Sequence, residues 1–285
     1  MARTVLITGC SSPQGIGFAS ARALAGAGFS VHATVRDRAN VASLLDGVEG
    51  RLVVHDMDLL DAGSVAGTVE AVLAADRRLD VLVDNAGYGL IGGVEQVDLD
   101  RARVSFETNF FGTVALIQEV LPVMRCQGGG LIVNLSSIFV AGLCPPALSF
   151  SIASKAALDT VSQALAVEAE PWGVRLTNFQ PGPVMTALSR EWGQRLSAEE
   201  DPRPTLSDEL YDWVGSDQCP AAQSPEEVAA SLCEVVESDS ADLARQSGPA
   251  AEAYVSAALR DVTRDTELAC MRSAFAKTRA ARGLS

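Results

Sequence analysis

The chain has 285 residues, 48% of them hydrophobic, and 36 acidic against 22 basic side chains give it a formal net charge of −14. That apolar content excludes a disordered chain, and the acidic balance argues against a nucleic-acid or anionic-membrane partner, which would need clustered Lys and Arg. No apolar stretch approaches the ~20 residues of a membrane span, and the opening MARTVLITG lacks a signal peptide's architecture, so the expectation is a cytoplasmic protein.

The first half alternates short apolar runs with amphipathic segments. Thr4–Thr8 reads as a strand, followed by a glycine-rich turn and by Ile16–Ala27 with apolar residues at helical spacing. Ser30–Val35, Arg51–His55 and Asp80–Val83 read as the second, third and fourth strands, with helical segments such as Ala62–Ala75 between them. Leu131–Leu135 is a fifth strand and Val174–Phe179 a sixth, separated by a helix from about Ser151 to Glu170. Short, continuously apolar strands separated by helices indicate a parallel sheet covered on both faces. The fold expected is therefore α/β, a doubly wound, Rossmann-type, three-layer single domain over 1–285. Residues 183–225 carry Asp201–Pro204 (DPRP) and few periodic runs, and read as a lid-like excursion over the sheet's carboxyl edge. Pro225–Ser238 is helical, and 250–285 reads as a helical, solvated tail.

Six scattered cysteines form no C-x-x-C pair, and the two histidines, His32 and His55, fall in strand-like segments. The spacing of a zinc site is absent, so no metal is expected. Neither histidine sits on a loop suited to the general base of a Ser-His-Asp triad.

The turn Thr8-Gly9-Cys10-Ser11-Ser12-Pro13-Gln14-Gly15-Ile16-Gly17 joins the first strand to the first helix. Glycines there allow a tight turn and close approach of backbone to a pyrophosphate, which the free N–H groups of the helix start attract. The second strand ends in Val35-Arg36-Asp37-Arg38. A guanidinium at Arg36 suits a 2′-phosphate and favours NADP(H), while Asp37 keeps NAD(H) open.

These residues resemble the short-chain dehydrogenase/reductase family, particularly its hydroxysteroid and retinol dehydrogenase branch. Further landmarks follow in order: Asp84-Asn85-Ala86-Gly87 after the fourth strand, Asn109 in TNFFG, Ser136-Ser137 after the fifth, and Pro181-Gly182-Pro183-Val184-Met185-Thr186 after the sixth. The resemblance spans roughly Arg3 to Thr186. It implies a dinucleotide held by Gly9, Ser11, Ser12, Gly15, Ile16, Gly17, Arg36, Asp58, Asn85, Ala86, Gly87, Lys155, Pro181, Gly182, Val184 and Thr186. The family's usual loop, T-G-x-x-x-G-x-G, here carries a two-residue insertion, Pro13-Gln14.

The family's chemistry, hydride transfer to or from a carbon bearing oxygen, uses an Asn, Ser, Tyr and Lys tetrad. By that resemblance the tetrad falls on Asn109, Ser137 (Ser136 being the alternative), Ser151 and Lys155. The Y-x-x-x-K motif reads Ser151-Ile152-Ala153-Ser154-Lys155: its i, i+4 spacing is kept and the tyrosine is not there. An aliphatic hydroxyl is a far weaker acid than a phenol and ends about one ring short of the substrate. Three explanations stand. In the first, redox chemistry uses Ser151, a water and Lys155, or a tyrosine from elsewhere, Tyr88 being nearest by motif. In the second, the pocket performs a non-redox cyclisation, dehydration or isomerisation. Or the chain binds without turnover. The pocket-forming segments Tyr88–Gly93, Ile138–Leu148 and Pro183–Trp192 are apolar, which suits a small hydrophobic substrate against Tyr88, Ser136 and Leu143. Ala153, Ala156, Ala157, Ala164 and Ala166 give the helix from Ser151 a surface for close packing, so a homodimer or homotetramer is expected.

Overall fold

The computed structural model describes residues 2–186, 206–214, 216, 219–240 and 242–283. In chain order the elements are β1 Thr4–Ile7, α1 Ile16–Gly26, β2 Ser30–Val35, α2 Val41–Leu45, β3 Arg51–Asp56, α3 Ala62–Asp76 and β4 Val81–Asp84. They continue as α4 Leu99–Phe106, a π-helical turn Glu107–Gly112, α5 Thr113–Gln127, β5 Gly130–Leu135, α6 Ile138–Ala141, α7 Ser149–Ala169 and β6 Val174–Gln180. The last are α8 Leu206–Val214, α9 Pro225–Glu237, β7 Ala244–Gln246, α10 Pro249–Arg260 and α11 Asp265–Ala281.

All the strands are parallel, in the order β3-β2-β1-β4-β5-β6-β7. The expected Rossmann-type architecture stands, with one strand more than the six read from sequence. That strand, Ala244-Arg245-Gln246, is three residues long and lacks an apolar run, so it leaves no hydrophobic signature. Its partner β6 supplies the register, from Asn178–Ala244 to Gln180–Gln246.

The two-residue period of a strand sorts side chains to the two faces. Val5 and Ile7 join Phe18, Leu24, Val228 and Leu232 under α1 and α9, whereas Leu6 joins Val65, Val69, Leu116, Val120 and Leu165 under α3, α5 and α7. A third cluster forms beyond the sheet, where Ile138, Phe139 and Trp213 meet Ala251, Val255, Met271 and Phe275. The tail, expected to be solvated, thus buries one face of each of its two helices. Of the lid-like excursion, 187–205 lies outside the described residues, while α8 packs on α11 through Arg279, whose Nε donates to both Glu209 oxygens at 3.0 and 2.9 Å.

Caps set several boundaries. Asp61 accepts from Gly63 and Ser64 N–H at the start of α3, and Ser224 and Glu227 form a reciprocal capping box before α9. The chain order reverses at β1, which pairs with β2 on one side and β4 on the other. Open α/β sheets bind ligands at such a switch point, at the strands' carboxyl ends.

The two histidines are core residues. His32, fully buried on β2, reaches Asp76 at the end of α3 (Nε2 to Oδ2, 3.1 Å) and His55 on β3 (Nδ1 to Nε2, 2.8 Å), and the two rings stack at 5.0 Å. Ser30, Thr4 and Arg51 add donors to the same carboxylate. Burial holds His32 below its ordinary 6.5 against the pull of Asp76, and burial with the neighbouring His32 does the same to His55. Burial alone would lift Asp76, but Ser30, His32 and Arg51 outweigh it and bring it to about 2.

Both histidines are therefore harder to protonate in the fold than in the unfolded chain, which gains protons near pH 6.5. Their contribution is complete above that pH and drains as pH falls through it; that of Asp76 drains only below pH 4. We expect the melting temperature to fall between pH 7.5 and 5.5, and to fall less in a His55→Gln variant. Equal pH slopes for the two proteins in calorimetry would contradict this.

Candidate active site

The phosphate-binding loop is built around Gly9 and Gly17. Gly9 has φ +76, and a Cβ there would meet the Ala86 backbone at 2.7 Å; a Cβ at Gly17 would run into the Asn85 amide and the Gly9 carbonyl. The loop is bound to the turn after β4 by Thr8, whose hydroxyl accepts from Asn85 N (3.0 Å) and Ala86 N (2.9 Å). Asn85 Nδ2 in return donates to the carbonyls of Thr8 (2.7 Å) and Gly9 (3.1 Å).

The Pro13-Gln14 insertion forms an exposed turn, closed by Gly15 N–H on the Ser12 carbonyl at 2.9 Å. Proline at its second position fits such a turn. The insertion points into solvent and α1 begins where it must. Its first turn has no side-chain cap at Gly15 and no acidic residue, so its N–H groups are open to an anion. A nicotinamide dinucleotide fits this cradle of backbone donors. Ser11 Oγ accepts from Arg36 N at 3.0 Å, which brings the end of β2 against the loop. The Arg36 guanidinium is exposed and has no partner among the described residues, whereas Arg38 is taken up by Asp56 and the Asp37 carboxylate caps the following turn. Asp58, past β3, accepts from Leu60 N at 3.0 Å. On the other side Ile138 N–H donates to Pro181 O, Gly182 N–H to Ser247 Oγ, and Val184 bridges to Gln223, leaving Thr186 at the limit of the described segment.

The tetrad positions come together past β4 and β5. Asn109 lies in the π-helical turn and is buried. Its Oδ1 accepts from Tyr88 N (2.6 Å), and its Nδ2 donates to Tyr88 O (3.0 Å) and Ser154 Oγ (3.0 Å). Lys155 Nζ donates to the Leu135 carbonyl at 2.6 Å, and a Cβ on Gly87 would lie 3.4 Å from Asn109 Oδ1 and 3.7 Å from Lys155 Nζ. Burial pushes the Lys155 ammonium down to about 8, with Asp159 and Asp84 pulling the other way. Ser136 is buried, while Ser137 is half-buried and caps α6 by accepting from Phe139 N at 3.3 Å, which leaves Ser137 the more open of the two hydroxyls.

Ser151 holds a different post. Its hydroxyl accepts from Leu90 N at 2.8 Å and donates to Leu90 O at 2.9 Å, so both functions of the group are spent on one residue's backbone. With Asn109 on Tyr88, it holds the segment after the β4 turn against α7, as a strand partner would.

Three tyrosines exist in the chain. Tyr254 is packed edge-on against Phe139 and lies by the Leu143 carbonyl; burial and Glu267 raise its phenol above the ordinary value, away from catalytic use. Tyr211 lies on α8 and is 40% exposed. Tyr88 is half-buried, fixed by backbone only. Leu143 lines a cavity of about 630 Å³ with Cys144 and Pro146, opposite Leu268, Met271 and Phe275 of α11.

Sequence reasoning missed Thr8, Asp84 and Asp159 as site residues. Asp159 stands four residues after Lys155 on the same helix face, a spacing that could have found it.

The sequence signature described as "short chain dehydrogenase" matches residues 3–197. Human 17-beta-hydroxysteroid dehydrogenase type 1 is 36% identical over 244 residues, 80% of this chain and 73% of that protein. Bovine retinol dehydrogenase 8 is 34% identical over 265 residues, covering 86% and 81%. Among solved structures, a short-chain dehydrogenase from Streptomyces avermitilis superposes with a TM-score of 0.75 at 27% identity, covering 100% of this chain and 98% of that one.

A Ser151→Ala variant leaves the buried Leu90 N–H and the Leu90 carbonyl without this partner. We expect it to lose about 1–3 kcal/mol of stability in urea unfolding, against less than about 1 for Ser137→Ala. Equal stabilities would show that the Ser151 hydroxyl does not hold the segment.

Proposed function

The chain belongs to the short-chain dehydrogenase family of oxidoreductases, and on that premise we propose that it is an NADP(H)-dependent enzyme of hydrophobic carbonyls or alcohols that works without the family's tyrosine. The observation that carries this reading is the position of Lys155 Nζ, beside Asn109 and Gly87 at the same sheet edge as the uncapped start of α1. When bound, the dinucleotide supplies or accepts the hydride at the substrate carbon. The unpartnered Arg36 guanidinium takes a 2′-phosphate, and the first turn of α1 with Gly15, Ile16 and Gly17 takes the pyrophosphate. Ser137 holds the substrate oxygen. Because the Ser151 hydroxyl is bound on both sides to Leu90, the proton comes from the Lys155 ammonium, directly or through one water. The cavity at Leu143 is lined by Met271 and Phe275 but also by Arg272 and Arg279, and by none of Asn109, Ser137 and Lys155, so the hydrophobic substrate class rests on the likeness to a hydroxysteroid and a retinol dehydrogenase. Six free thiols suit a cytoplasmic setting.

The spent Ser151 hydroxyl also favours a second reading, a dinucleotide-binding protein without turnover or with non-redox chemistry. A ketone panel with NADPH, run on the wild type and on Ser151→Tyr, separates them. Turnover in the wild type that falls above about pH 8, as Lys155 loses its proton, supports the redox reading; turnover confined to the tyrosine variant refutes it for this chain. Calorimetry is expected to give tighter binding of NADPH than NADH, a preference that Arg36→Ala abolishes; equal affinities in the wild type would remove Arg36 from its role.

We also assign a homodimer or homotetramer to the outer faces of α4, the π-helical turn and α7. Leu99, Val104, Phe111 and Val167 are about half or more exposed there, the first and third flank a groove of about 300 Å³ with Phe106 and Phe150, and Ala153 and Ala164 allow close approach. Sedimentation at micromolar concentration should give an oligomer that Phe111→Glu dissociates; a monomeric wild type would refute the assignment.

A further inference from the structure

Beneath the site, between α7 and the strands β4, β5 and β6, lies a layer of buried polar side chains. Strand register sets Asp84, Asn134 and Asn178 in one row, and Ser136 and Gln180 stand two residues further along on the same face. All five are at most 6% exposed. From α7, Lys155, Asp159 and Ser162 turn towards this layer at helical spacing. Asn134 Nδ2 donates to Ser162 Oγ at 2.8 Å, Gln180 Nε2 to Asp159 Oδ2 at 3.3 Å, and Lys155 Nζ to Leu135 O.

The accounting of partners does not close. Both carboxyl oxygens of Asp84, Oδ1 of Asn134, Asn178 and Asp159, and the Ser136 hydroxyl have no hydrogen-bond partner among the described residues. These are six of the eight such atoms found there, and they fall in one layer. Ser136 Oγ faces the Asp159 carboxyl without reaching hydrogen-bond geometry. Buried polar groups nearly always have a partner, from protein or from ordered water. Five of the six atoms are acceptors, so what serves them must donate: water, or a proton retained by an acid. Electrostatics points the same way. One ammonium, Lys155, balances one of the two buried carboxylates, and a second unbalanced negative charge at this depth is costly enough that the acid keeps its proton. Burial accordingly raises Asp84 far above the ordinary carboxylate value and raises Asp159 as well. Asp84 from β4 and Asp159 from α7 itself are the charged groups that act on Lys155.

We propose that this layer is a hydrated proton store, in which Asp84 and Asp159 hold one proton between them and pass it through water to Lys155. The proposal rests on the redox reading above. In carbonyl reduction, one proton leaves Lys155 Nζ for the substrate oxygen, which takes the π electron pair as the hydride forms the C–H bond. The neutral amine then takes the proton of the acid, leaving a carboxylate that solvent reprotonates between turnovers. Each turnover consumes one hydride and one proton. Asp84 and Asp159 touch no substrate and act through Lys155.

The chain has two lysines, Lys155 and Lys277, so protein labelled with 13C at lysine Cε gives two NMR titrations, assigned with Lys277→Arg. Lys155 is expected to titrate near pH 8, below Lys277. In Asp84→Asn or Asp159→Asn the remaining acid ionises and the single negative charge stays, so its midpoint should move little, whereas the double variant removes that charge and should lower the midpoint by about one unit. The same variants should lower kcat for carbonyl reduction by about tenfold or more with KM little changed, and Asp159→Glu should restore it. Should Asp84→Asn fail to fold, Asn178→Leu dries the layer while leaving every titratable group, and should lower kcat alike. A Lys155 midpoint that drops in either single variant or stays put in the double one, or a kcat indifferent to Asn178→Leu, overturns the proposal. Absence of turnover in wild type and Ser151→Tyr, with the Lys155 midpoint moved by the double variant alone, refutes the redox reading and leaves the shared proton standing.

Discussion

The structure hangs on the junction of two turns at the carboxyl edge of the sheet, where Thr8-Gly9 and Asn85-Ala86 exchange four hydrogen bonds. β1 and β4 are neighbours in space and 77 residues apart in sequence at this point. Their pairing fixes the switch in strand order, but strand pairing alone does not set the path of the turns beyond it. The Thr8 hydroxyl does so, by receiving two successive backbone N–H groups of the Asn85-Ala86 turn, and the Asn85 amide returns the hold on the glycine loop. Glycine at 9 and 17 is the steric condition for this closeness. Everything downstream is placed by it: Gly87 against Lys155, Tyr88 against Asn109, and Leu90 against Ser151.

How much of this was legible follows from what each feature writes into the sequence. Continuous apolar runs such as TVLI and SVHATV announce buried parallel strands, because only a strand covered on both faces needs apolar side chains in succession. Ala244–Gln246 is an edge strand held by register with β6 and has no such need. The glycine loop, Asn109 and Lys155 were legible because motif spacing encodes which side chains share an edge. The use of a side chain was not. Nothing in Ser151-Ile152-Ala153-Ser154-Lys155 tells that the first hydroxyl turns to Leu90, since that depends on a segment sixty-one residues away. Asp84 likewise reads as the end of an apolar strand, and its meaning as a buried acid appears only when Asn134, Asp159 and Lys155 are set around it.

The two faces of the sheet contrast in how they are filled. Under α1 and α9, Val5, Ile7, Val31, Ala33, Val228 and Leu232 make a dry, close-packed core. On the other face the packing is equally apolar through Leu6, Leu82 and Ile132. It turns polar where α7 crosses β4, β5 and β6, directly below the lysine. A core that admits Asp84, Asn134, Asn178 and Asp159 gives up hydrophobic stabilisation of about 1.5–3 kcal/mol per large side chain forgone. What sets this layer apart from the paired His32–Asp76 cluster on the same sheet is that it holds six of the eight unpartnered buried polar atoms found among the described residues.

The Leu90 staple also ties position 151 to a distant part of the chain. A serine there is woven into the backbone hydrogen bonding of a distant segment. A phenol, too long to turn back on Leu90 in the same way, has to release both groups before it can point towards the sheet edge. Substitution of one side chain has thereby become a property of two chain segments. The side chain at this one position thus fixes the course of backbone sixty-one residues away, and any larger group placed there must first find Leu90 new partners.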